Sequence, residues 1–102
     1  MTILQRVEFI WPDGAAQVGF RVWADSLPSN DRQECFDAIL RQENLRYSSV
    51  NSGYMTITAN GFLWKDQASY DAGHILDETW VKYMERYQTE TGVQRISTNE
   101  EQ

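Results

Sequence analysis

The sequence predicts an α+β fold: a two-layer sandwich in which an antiparallel sheet of four to five strands carries two helices on one face, in the order ββαββα. Three observations lead there. Residues 3–11 alternate apolar and polar with a period of two, which marks a strand. Pro12-Asp13-Gly14 and Asn60-Gly61 sit between extended runs, where turn chemistry closes hairpins. Phe36, Ile39 and Leu40, and later Trp80, Met84, Tyr87 and Thr91, recur at helical spacing. A chain of 102 residues, 41% hydrophobic and 24% charged, has the length and composition of one globular domain.

The elements follow in order. Ile3, Gln5, Val7, Phe9 and Trp11 share one face of the first strand, with Leu4, Arg6, Glu8 and Ile10 on the other. After the Pro-Asp-Gly turn, Ala16, Val18, Phe20, Val22 and Ala24 alternate again, so the first ~24 residues read as a β-hairpin. Leu27-Pro28 breaks the strand, and Ser29 or Asn30 can cap a helix with Asp31 and Glu34 in its first turn. From Leu45 to Lys65 the text is strand-like, as three short strands turning at 51–53 and 60–61 or as two longer strands with a bulge. Asp66 can cap a short helix that stops at Gly73, and Asp77 a second one that stops at Gly92. The domain spans 1–93, and the acidic tail 94–102, with only Ile96 to bury, is expected to be disordered.

Composition excludes several functions. One Cys and one His cannot make an internal disulfide or fill a structural zinc site. Nine Lys and Arg against fifteen Asp and Glu give a net charge of −6. The basic residues are scattered among carboxylates, which argues against direct nucleic-acid binding. No basic leader precedes an apolar run and no stretch reaches the ~18 apolar residues of a membrane span, so the expected location is cytoplasmic. Phosphate-cradling glycine motifs and the serine-hydrolase elbow are absent, which leans the reading away from an enzyme and calls for no cofactor.

Two groups of residues remain as candidates. His74 is the one side chain able to exchange a proton near neutral pH unaided; its readings are a helix-end cap, a proton carrier and, with Asp71 and Asp77, a weak metal ligand. Cys35, in the middle of a helix, reads as a buried, inert thiol. Thirteen aromatics, four of them Trp, exceed what a two-layer core of this size needs. Trp23 and Tyr54 fall on the polar phase of their strands, so a second sheet face bearing rings would need a partner, most simply a second copy of the chain.

Residues 62–84, from Phe62-Leu63-Trp64-Lys65-Asp66 through Tyr70, Gly73 and His74 to Trp80-Val81-Lys82-Tyr83-Met84, resemble the last core strand and following helices of dimeric ferredoxin-like α+β barrels of the antibiotic-biosynthesis-monooxygenase type. The resemblance implies a homodimer with a pocket between sheet and helices, Trp64 lining it and His74 near a position often held by His. Haem-degrading members carry an Asn on the first strand and a His on the second helical piece; here those stretches hold Arg6, Val7 and Glu8, and Val81, Lys82 and Tyr83. The family begins βαβ, whereas this chain reads as beginning with a hairpin.

The leading expectation is therefore a homodimeric domain that binds another protein, one with a basic surface, through acidic and aromatic side chains: Trp23, Tyr54, Trp64, Tyr70, Trp80 and Tyr83. The alternatives are a small-molecule-binding or cofactor-independent oxygenase-like enzyme of the dimeric α+β barrel type, its pocket lined by Trp64, Tyr70, Trp80 and Tyr83 with His74 as proton carrier, and an acidic inhibitor that mimics nucleic acid.

Overall fold

In the computed structural model, which describes residues 1–102, β1 (Ile3–Ile10) is an inner strand paired antiparallel on both sides. One partner is β3 (Gly61–Trp64), with Ile3 opposite Trp64 and Gln5 opposite Phe62. The other is β4 (Gln94–Glu101), in register along the whole strand from Ile3–Glu101 to Ile10–Gln94. β2 (Met55–Thr58) completes a four-stranded antiparallel sheet in the order β2-β3-β1-β4. Four helices connect the strands: α1 (Phe20–Asp25) and α2 (Ser29–Asn51) between β1 and β2, α3 (Gln67–Gly73) and α4 (Glu78–Thr91) between β3 and β4. The α+β class and the antiparallel sheet match expectation; the order of elements is β-α-α-β-β-α-α-β.

Three corrections have physical causes. The expected second strand over 16–24 is a loop followed by α1, because Phe20, Trp23, Ala24 and Leu27 also recur at i, i+3, i+4 and i+7. That spacing sends Trp23, Ala24 and Leu27 into the core, all at most 7% exposed. The Pro12 turn forms as expected, with Ala15 N–H donating to the Pro12 carbonyl and Gly14 at φ 74°, but β4 takes the place beside β1 that the hairpin would have filled. Residues 45–51, read as strand, continue α2, whose buried stripe runs Cys35, Ala38, Ile39, Gln42 and Ser49. Two of those five are polar, so hydrophobic periodicity fades where the helix does not. The tail expected to be disordered is β4: its backbone ladder with β1 orders a segment that has almost no apolar side chain to bury.

Local signals elsewhere hold. Asp66 and Asp77 cap α3 and α4 by accepting from Ser69 N–H and Trp80 N–H at 2.8 and 2.9 Å, and Gly92 closes α4 at φ 80°. The Asn60-Gly61 hairpin joins β2 to β3, with Asn60 at negative φ and only Gly61 positive, at 138°. Gly61 is required there: a Cβ would stand 2.3 Å from the Gln5 carbonyl oxygen on β1. No helix is long and apolar enough to cross a membrane.

The odd-numbered residues of β1 face the helices, and two separate apolar cores result. Ile3, Met55 and Trp64 pack with Val50 and Tyr70 at one end. The larger core lies among α1, α2 and α4, around Trp23, Cys35, Ile39, Trp80, Met84 and Tyr87. The outward sheet face carries Leu4, Arg6, Glu8 and Ile10 of β1 and Ile96, Thr98 and Glu100 of β4, with Arg6 paired to Glu100 at 3.1 Å. No ring lies among them; Phe9, Phe62 and Trp64 of the sheet point toward the helices instead.

Candidate functional site

The two cores do not meet. Between them lies a cleft of about 460 Å³, floored by Val7 and Phe9 of β1 and Phe62 of β3, and walled by Phe20, Trp80 and Met84. Its volume falls within the ~300–1,000 Å³ of ordinary ligand sites. Phe9 remains 42% exposed although it points toward the helices, because nothing fills the space above it. At the mouth, Arg21 of α1 is ion-paired with Glu43 of α2.

Two guanidiniums enter this cleft. Arg46 of α2 lies 5.1 Å from the Phe62 ring centroid and 5.8 Å from that of Trp80, and Arg95 of β4 lies 5.1 Å from Trp80. Burial, and for Arg46 also the charge of Arg95, pulls both below the ordinary guanidinium pKa. They nevertheless stay charged at neutral pH.

Beside the cleft, sharing Gln42, Arg46, Phe62 and Arg95 with it, is a void of about 20 Å³ that His74 and Gln5 line. Its chemistry is set by one donor-only group. Trp64 Nε1–H donates to Gln5 Oε1 at 3.1 Å, which fixes the orientation of the Gln5 amide. Gln5 Nε2 must then donate both to Ser97 Oγ at 3.1 Å and to His74 Nε2 at 3.0 Å. His74 Nε2 is therefore an acceptor, and the ring is neutral with its proton on Nδ1. Tyr70 stacks on it, with centroids 4.6 Å apart and planes at 10°. Burial, then the charges of Arg95 and Arg46, hold His74 below its usual pKa of 6.5.

A depressed folded-state pKa means that the unfolded chain takes up the proton first. The contribution of neutral His74 is complete above about pH 6.5 and is lost as pH falls through the lower folded value. Thermal unfolding followed from about pH 8 to about pH 5 should show a steeper loss for the wild type than for His74→Asn. Parallel curves would refute the assignment.

The structure separates the candidates named from the sequence. Trp80 lines the cleft; Trp64 and His74 line the small void, with Tyr70 against both rings. Trp23 and Tyr83 are enclosed in the helix core, Tyr83 with its phenol pushed up to about 12 by burial. Tyr54 alone is exposed. Asp71 and Asp77 do not converge on His74: Gln67 donates to Asp71, and Asp77 caps α4 while accepting from Arg41 at 2.8 Å. Cys35 is fully buried and its thiol is pushed up to about 11 by that burial.

Gln5, Gln42, Arg46 and Arg95 escaped the sequence reading. Gln5 had a signal, a polar residue in the apolar phase of β1, and its 2% exposure shows what that phase implied. Gln42 had none: it bridges to the α3–α4 loop, donating to the Ile75 carbonyl and accepting from Asp77 N–H. No family model, curated protein or solved structure matches the chain.

Proposed function

We propose that the domain binds a small molecule in the cleft between its sheet and its helices. The observation that carries this reading is a largely apolar cleft of about 460 Å³ left open between two separate cores. The connectivity supports a ferredoxin-like reading of the fold, a split β-α-β-β-α-β unit in which each crossover holds two helices. A sheet–helix pocket is also what the resemblance of residues 62–84 implies. Binding is favoured over catalysis because His74, the one residue suited to proton transfer near neutral pH, faces a void large enough only for a water and is already hydrogen-bonded. Recognition of a protein through aromatic side chains has less support, since Trp23, Trp64, Trp80 and Tyr83 are all at most 7% exposed.

The neutral dye N-phenyl-1-naphthylamine, which brightens in apolar surroundings, tests the reading. Saturable emission is expected with the wild type. Val7→Trp, which fills the floor of the cleft, should abolish it while the near-ultraviolet circular dichroism persists. Amide shifts on binding should cluster at Val7, Phe62 and Met84. Absence of saturable emission, or shifts confined to other surfaces, would overturn the proposal.

A further inference from the structure

Resting on the cleft as a binding site, we infer that its ligand is an organic anion, a carboxylate carried on an apolar skeleton, with Arg46 and Arg95 holding the carboxylate. The chain has fifteen carboxylic side chains, and Arg6, Arg21, Arg41 and Arg86 each have one as an ion-pair partner. Arg32 is fully at the surface, where water solvates it. Arg46 and Arg95 are half-buried and make neither a salt bridge nor a side-chain hydrogen bond.

A guanidinium withdrawn from water without a carboxylate is costly, and cation–π contacts return only ~0.5–2 kcal/mol. The rings of Phe62 and Trp80 offer the N–H donors no acceptor, so water in the open cleft is their only partner until a ligand displaces it. Placing two such groups around one Trp80 ring adds mutual repulsion. An anion between them relieves both costs at once, and a planar carboxylate suits the guanidinium fork.

The one carboxylate that lines the cleft, Glu43, is held by Arg21 and leaves Arg46 and Arg95 free. The net charge of −6 excludes general anion attraction as the purpose of these arginines. The apolar lining by Val7, Phe9 and Met84 requires the rest of the ligand to be hydrophobic, which separates it from inorganic anions.

The test is calorimetric titration of the intact protein with 2-naphthoate and with its neutral isostere 2-naphthamide. The carboxylate should bind at least tenfold more tightly, by an amount that shrinks with salt. Arg46→Gln or Arg95→Gln should each erode the preference and the double variant should erase it, the loss falling on 2-naphthoate more than on 2-naphthamide. Arg46→Lys, which keeps the charge and loses the fork, should retain part of it and guards against a folding artefact. Equal affinity for the two probes in the wild type would overturn the anion inference and leave the cleft standing. Binding of neither would overturn both.

Discussion

Replacing Tyr87 with Ala is expected to lower the melting temperature by roughly 15–30 °C, the largest effect of any single substitution argued for this chain. Tyr87 is 2% exposed on α4 and is the point where four other rings converge. Phe9 of β1, Trp11 of the following loop, and Phe20 and Trp23 of α1 lie with centroids 6.4, 6.3, 5.2 and 5.5 Å from it. Its hydroxyl donates to the Val18 carbonyl at 2.6 Å, which ties the β1–α1 connection to the helix layer. Truncation removes a whole ring and leaves a cavity bounded by three elements that cannot all move inward, so a cost of ~3–5 kcal/mol applies. Domains of this size hold only ~5–15 kcal/mol in reserve. Tyr87→Phe separates the terms: it keeps the packing, leaves the Val18 carbonyl without its donor and should cost about 1 kcal/mol. Calorimetric melting of both variants gives the comparison, and a loss under about 5 °C for Tyr87→Ala would show that the rings repack.

The same residue illustrates what the sequence could and could not reveal. Trp80, Met84 and Tyr87 repeat at helical spacing between an Asp and a Gly, so α4 could be read with its caps and its buried face. Tyr87's partners could not, because Phe20 fits both a strand and a helix period over so short a span, and only the helix period brings Trp23 to the same face. Tertiary context decided: β1 needed a strand neighbour, and β4 supplied eight residues of ladder from the far end of the chain. That pairing is made of backbone groups, which leave little trace in side-chain pattern. Arg46 and Arg95 were invisible as a pair for a related reason. They are brought to one Trp80 ring by α2 running on to Asn51 and by β4 existing at all. His74 could be picked out from its scarcity alone. Its state is set by Gln5 and Trp64, diagonal neighbours on β1 and β3 that lie 59 residues apart in the sequence.

Gln5 therefore gives the sharpest test of that state. Gln5→Leu removes three hydrogen bonds at once and leaves Trp64 Nε1–H buried without an acceptor, an expected cost of ~2–4 kcal/mol. Gln5→Glu is the more informative change. A carboxylate still accepts from Trp64 but cannot donate, so His74 Nε2 must turn from acceptor to donor to keep a partner. The ring is then stabilised as imidazolium, and its folded pKa moves from below 6.5 to above it. The linkage reverses sign: the His74 contribution is complete below the unfolded pKa and is lost as pH rises through the folded one. In the wild type the opposite holds, with stability lost as pH falls. Proton NMR of the His74 ring gives the two titration midpoints directly, and melting at about pH 5.5 and about pH 8 gives the two slopes. If Gln5→Glu left the midpoint below 6.5, the amide orientation dictated by Trp64 would be wrong, and with it the neutral His74 that closes the void beside the cleft.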